Sequence, residues 1–238
     1  LYKIGGSGNM VPVVENLTVN PSQGIWGSTF NFSADVFDED VDNVTVRLYV
    51  YLPKLDDWIL SNSTNITGNG TVSFLVTSNK SWTGQSKFTF EFWDYNTSTG
   101  EAFHEPQNIT NSSYPVVLKH SVSIEYILGN ESSINRTGLI GNSTLLSIRI
   151  NDTDEASYVG SGVNCSFWIT NDGNNFVLVN STQTDSSGFC NFTFHPDSSF
   201  SVGEQQWKAG SFDDAYYSNQ NSTNFTLSIY GKLNINLT

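Results

Sequence analysis

The sequence predicts an all-β protein built as two tandem antiparallel β-sandwiches of about seven strands each. Three observations lead there. Apolar and polar residues alternate with a period of two, and no stretch between Pro12 and Leu237 sustains a helical period. The second half of the chain can be laid over the first. Turn-forming clusters such as NDGNN (171–175) punctuate the apolar runs at strand-length intervals.

The alternation is clearest in TFNFSADV (29–36), where Phe30, Phe32, Ala34 and Val36 share one face and Asn31, Ser33 and Asp35 the other. Seven such segments fall near 12–19, 29–36, 44–52, 57–61, 71–77, 86–93 and 113–119. Seven more fall near 121–128, 144–151, 163–170, 176–180, 188–195, 205–212 and 224–230. The repeat that joins them is GSTFNFSADVFDED (27–40) over GNSTLLSIRINDTD (141–154), which aligns Gly27 with Gly141, Asp38 with Asp152 and Asp40 with Asp154. GQSKFTFEFWD (84–94) matches GEQQWKAGSFD (203–213) in the same way. GKLNINLT, at the end of the chain, resembles KHSVSIEY (119–126), which opens the second copy. The expected organisation is therefore a linker or the end of a preceding unit at 1–10, sandwiches at 11–119 and 120–230, and the start of a third unit at 231–238. GGSG (5–8) is linker-like, since no helix follows it. A signal peptide or membrane anchor is expected to lie outside this stretch or to have been removed.

Cys165 and Cys190 are the two cysteines. VNCSFWI and FCNFTF place both sulfurs on the apolar face of their strands, so a core disulfide in an oxidising location is expected. It joins the third and fifth strands rather than the second and sixth, which makes the sandwich immunoglobulin-like in the broad sense. In the first copy Val46 and Val72 take the two positions and are expected to touch across the core. A catalytic or metal-binding thiol pair is disfavoured, because neither cysteine has a Cys-x-x-Cys spacing or a nearby His.

Ser and Thr fill 54 of 238 positions, so chance would put about 6 of the 27 Asn two residues ahead of one. Twenty stand there in acceptor tripeptides for N-glycans: Asn16, Asn31, Asn43, Asn62, Asn65, Asn69, Asn79, Asn96, Asn108, Asn111, Asn130, Asn135, Asn142, Asn151, Asn164, Asn180, Asn191, Asn221, Asn224 and Asn236. In an extended tripeptide the Asn and the hydroxyl residue project together while the middle residue points away. That middle residue is apolar at Leu17, Phe32, Val44, Ile66, Ile109, Phe192, Phe225 and Leu237. Sugars outside and core inside fit in the same three residues. SNSTNITGNGT (61–71) carries three acceptors and is expected to be a solvent-facing loop after the fourth strand.

Carboxylates gather in DVFDEDVD (35–42) and NDTDE (151–155), just after the second strand of each copy. Sandwich topology brings the sixth-to-seventh loop to the same end. Asp38, Asp40 and Asp94 are thus expected to meet in the first copy, and Asp152, Asp154, Asp213 and Asp214 in the second. Alternate Asp residues and backbone carbonyls suit calcium, which favours hard oxygen ligands. The competing reading is a set of solvated turns in which Asp serves local hydrogen bonds.

No enzyme is expected. His104, His120 and His195 are scattered and read as surface or turn residues, and no Gly-x-Ser-x-Gly, His-Glu-x-x-His or phosphate-binding glycine loop occurs. A formal net charge of −13 with only ten Lys and Arg disfavours nucleic acid and anionic membrane surfaces as partners. No run of about 20 apolar residues offers a membrane span. Trp168 and its repeat partner Tyr49, with Tyr51, are expected on an outer sheet face, where they would stack on sugars or lie under a neighbouring module or the protein's own glycans.

Acidic, Asn/Ser/Thr-rich tandem sandwiches with strand endings such as FEFWD (90–94) and TDSSGF (184–189) resemble the immunoglobulin-like repeats of archaeal surface-layer and related cell-surface glycoproteins. The resemblance implies a secreted or membrane-tethered glycoprotein, outside the cell, that assembles with its own copies or neighbouring modules into a lattice or coat, often with divalent cations. Two other readings stay open: a cell-surface adhesin or carbohydrate-binding module, and accessory domains of a larger secreted enzyme.

Overall fold

The computed structural model describes residues 8–111, 114–136 and 142–231. The chain divides into two compact units, Leu1–Lys119 and His120–Thr238. The expected third unit beyond Gly231, with acceptor Asn236, and most of the expected N-terminal linker lie outside the described residues.

In the first unit the strands are β1 (Val13–Asn20), β2 (Gln23–Ile25), β3 (Thr29–Phe37), β4 (Asn43–Leu52), β5 (Asp57–Thr67), β6 (Gly70–Thr77), β7 (Gly84–Gln85), β8 (Lys87–Tyr95), β9 (Gln107–Thr110) and β10 (Val116–Leu118). One sheet runs β1-β3-β6 and the facing one β5-β4-β8-β9, while β2, β10 and β7 form a small third sheet. The alternation fills the space between the large sheets. Phe30, Phe32, Ala34 and Val36 from β3, and Val44, Val46, Leu48 and Val50 from β4, are buried. The Phe32 ring meets Phe88 edge-on at 5.0 Å, and Phe30 stacks on Trp82 at 6.2 Å. Each buried Val, Leu or Phe among them contributes about 1.5–3 kcal/mol of burial.

In the second unit they are β11 (Val122–Leu128), β12 (Ser132–Arg136), β13 (Thr144–Asp152), β14 (Ser157–Tyr158), β15 (Asn164–Thr170), β16 (Phe176–Gln183), β17 (Phe189–Phe194), β18 (Gly203–Ser211), β19 (Gln220–Asn221) and β20 (Phe225–Gly231). β11, β13 and β17 form one sheet, with β14 also on β13; the other runs β12-β20-β18-β15-β16. Trp207 is fully buried among Phe167, Tyr126 and Phe225, and its indole N–H donates to Gly129 O at 3.1 Å. Cys165 and Cys190 form the expected disulfide from β15 to β17, joining the two sheets with a Cα–Cα distance of 6.6 Å.

Three expectations change. The sandwiches are not wholly antiparallel: β2 pairs parallel with β10, and β12 with β20. The reason is that the opening strand of each unit is two segments: β1 lies in a large sheet while β2 joins β10 in the small one, and β11 lies in one sheet while β12 joins β20 in the other. Pro21, which has no N–H to give a ladder, separates β1 from β2. Between β11 and β12 the break is Gly129, at φ 109, where an added Cβ would sit 2.7 Å from Leu146 Cδ2 and 2.9 Å from Leu145 O. Secondly, the strand expected at 113–119 is the short β10, and an unexpected strand, β9, precedes it at 107–110. Thirdly, residues 61–71 are not a loop. β5 runs to Thr67, and only Gly68 and Asn69 separate it from β6. Being at the edge of its sheet, β5 tolerates polar side chains on both faces, and Thr45 Oγ1 donates to Asn65 Oδ1 across the pair at 2.9 Å.

The repeat holds in the strand register. Val72 lies opposite Ala34 as Cys190 lies opposite Ile148. Val46 lies between Thr64 and Phe92 as Cys165 lies between Thr182 and Ser211. Val46 and Val72 are both buried, on the two facing sheets.

Candidate cation-binding ends and acceptor asparagines

In the second unit β13 ends in Asp152, 2% exposed. Its Oδ1 accepts from the N–H groups of Asp154 (3.0 Å) and Glu155 (3.1 Å), the turn chemistry for which Asp is suited. Its Oδ2 accepts from His120 Nδ1 at 2.7 Å. His120 is thus not a surface residue: it is 1% exposed, held by backbone bonds to Tyr216 and Ser218. A lone His gives no sequence signal for this; its partner is 32 residues away. Asp154 is exposed and accepts from Ser121 N at 2.6 Å. His120, Asp152 and Asp154 bring one ligand atom each within 4.8 Å of one another.

The two other acids expected there part company. Asp213 is exposed with φ 52, whereas Asp214 is 5% exposed. Asp214 accepts from three backbone N–H groups, of Asn164 (2.9 Å), Tyr216 (2.8 Å) and Tyr217 (3.0 Å). Tyr217 packs edge-on to His120, and its hydroxyl is pushed up to about 12 by burial and then by Asp152, Glu155 and Asp214.

The first unit repeats this frame with different chemistry. Asp38, 1% exposed, accepts through Oδ1 from Asp40 N (2.9 Å) and Asp42 N (3.2 Å). Its own N–H donates to Asn69 Oδ1 at 2.7 Å. Met10 N donates to Asp40 Oδ2 at 2.5 Å, as Ser121 N does to Asp154. Asp94 is fully buried and accepts from Asn9 Nδ2 (2.8 Å) and His104 Nδ1 (2.9 Å). Asp42, which the sequence reading left out, joins the group: burial pushes its carboxyl up, helped by Asp38, Asp40 and Asp94. Asp38 Oδ2 and Asn9 Oδ1 are buried and have no hydrogen-bond partner among the described residues. The ligand atoms here are hard oxygens, but no three acid or imidazole groups come as close as the trio of the second unit among the described residues.

Of the 20 acceptor asparagines all but Asn236 are described, and none of these is buried. Several lie on strands at sheet edges: Asn16 on β1, Asn62 and Asn65 on β5, Asn108 on β9, Asn135 on β12, Asn180 on β16 and Asn191 on β17. Middle residues Phe32 and Val44 are buried. The outer aromatics are half-buried. Trp168 meets Phe212 edge-on at 5.5 Å, and Tyr49 donates to Glu91 at 3.4 Å. Beside Tyr49 an open groove of about 490 Å³ is lined by Trp58, Thr89, Glu91, Asn108 and Thr110. No helix among the described residues is long and apolar enough to cross a membrane.

No protein-family model matches the chain, and no curated protein matches it. Solved structures do. A tetra-tandem repeat in the extending region of a large adhesion protein is 15% identical with a TM-score of 0.49, over 90% of this chain and 48% of that one. The D0-D1 domain of intimin is 18% identical with a TM-score of 0.30, over 90% and 98%. Red sea bream transglutaminase is 10% identical with a TM-score of 0.36, over 91% and 31%. The chain spans about half the length of the adhesion-protein repeat structure. At these TM-scores the likenesses carry nothing about activity.

Proposed function

We propose that the chain is a structural segment of an extracellular surface glycoprotein, its sandwiches serving as stiff modules under a coat of N-glycans in a surface layer, sheath or filament made with copies of itself. No reaction is assigned to it. The observation that supports this most directly is the placing of the acceptors: twenty in 238 residues, with none of the described ones buried. The disulfide adds support for an oxidising location. Mass spectrometry of protein from its native host tests the reading. Glycans are expected on most acceptors, with those on exposed edge strands, Asn62, Asn65 and Asn108, among them; bare asparagines throughout would overturn it.

A second reading, an adhesin that binds sugars, is favoured by one feature: the groove of Tyr49 and Trp58, with Glu91 and Thr89 as polar partners. An aromatic platform beside hydrogen-bonding groups suits a sugar ring. Asn108 lines the same groove, so a glycan on it would cover the platform and favour the coat.

A further inference from the structure

We propose that the first unit binds one divalent cation, calcium by the chemistry of its ligands, among Asn9, Asp38, Asp42 and Asp94, and that the second unit binds none because His120 stands in the ion's place. The inference concerns an ion and not the glycans, so either can fail without the other.

Residues 9 and 120 occupy equivalent positions. Each directly precedes the residue whose N–H donates to the outer Asp of its unit, Met10 to Asp40 and Ser121 to Asp154. Their side chains differ in what they offer. His120 presents a ring N–H, and its Nδ1 donates to Asp152 Oδ2. Asp214 is satisfied by three backbone N–H groups. The buried acids of the second unit are therefore answered by the chain itself, and a cation entering there would have to displace the imidazole from Asp152.

Asn9 is neutral at every pH. Its amide N–H reaches Asp94, but its Oδ1 and Asp38 Oδ2 are both buried acceptors with no donor among the described residues. Asp38 is only 1% exposed. A buried carboxylate oxygen with nothing to neutralise it is the arrangement a protein interior tolerates least. Asp42, whose N–H donates to Asp38 Oδ1, and Asp94, which accepts from Asn9, bring two more carboxylates to the same end, with Asp40 at the rim and His104 paired with Asp94. A cation satisfies both orphaned oxygens at once.

The ligand set selects among cations. Carboxylate and amide oxygens suit a hard ion, and calcium accepts six to eight of them at about 2.3–2.6 Å in adaptable geometry. Softer transition metals prefer imidazole or thiolate.

Calorimetric titration of the chelator-stripped full chain with CaCl2 tests this. One ion per chain is expected, with a rise in unfolding temperature. Asp38→Asn should weaken binding at least tenfold, while Asp152→Asn should leave the stoichiometry at one. Asn9→His, which keeps every carboxylate, should copy the second unit by abolishing binding and raising the melting temperature of the calcium-free chain. No binding, two ions per chain, or a site lost in Asp152→Asn but kept in Asp38→Asn would overturn the proposal. If Asp38→Asn fails to fold, Asn9→His decides, and parental calcium affinity in that variant refutes the assignment.

Discussion

A buried Asp closes the second principal strand of each unit and does the same local work in both, accepting backbone N–H groups from the turn that follows. What differs is the remaining oxygen, and a single residue far away in sequence sets the difference. The exposed acids behave more simply. Asp172 accepts from Asn175 N (2.7 Å), Asn174 N (2.9 Å) and Asn175 Nδ2 (2.7 Å), and these bonds hold its carboxyl at about 2 against the usual 3.8. A depressed carboxyl supports the fold above the unfolded value and ceases to as pH falls through the folded one. The turn at 171–175 should therefore keep its structure at pH 3 and lose it around pH 2. An NMR titration of the Asp172 carboxyl carbon checks this; a midpoint near 3.8 would contradict it.

At the scale of the element, register ties the two sandwiches together more closely than composition does. Val46 and Val72 occupy register positions equivalent to those of Cys165 and Cys190. The double variant V46C/V72C should hence form a second disulfide. It would close a loop much like the native one, whose cysteines are 25 residues apart, and chain entropy puts the gain at up to about 3 kcal/mol. Thiol titration should find no free cysteine, and denaturant unfolding should shift upward and return on reduction. Strand existence was legible wherever apolar residues alternate, as in β3 and β4. β5 was legible only in its first half, 57–61, because beyond it an edge strand with Asn, Ser and Thr on both faces has no apolar stripe to read. The parallel pairs were hidden for another reason: sequence alternation marks a strand's faces but not the sheet in which it finds its partner.

For the whole molecule, the acceptors on β1, β5, β9, β12, β16 and β17 stand at sheet edges, where unpaired N–H and C=O groups invite another chain to add a strand. A sugar on an edge strand blocks that addition without entering the core. Protein made in a host that adds no N-glycans is thus expected to fold, since no described acceptor is buried, yet to self-associate more than the glycosylated form. Near-UV circular dichroism and light scattering at matched concentration would show both effects; loss of the fold would mean that the sugars have a structural task.

The sequence by itself determined the all-β class, the twofold repeat, the cysteine pair and the outward placing of the acceptors. All of these follow from periodicity and spacing along the chain, and local sterics translate those directly into faces. Only the tertiary structure decided that His120 is buried, that Asp214 rather than Asp213 turns inward, and that Asp38 keeps an unanswered oxygen while Asp152 does not. Those outcomes depend on which groups meet across tens of residues, and the desolvation that gives such meetings their energetic weight exists only once the chain has closed around them.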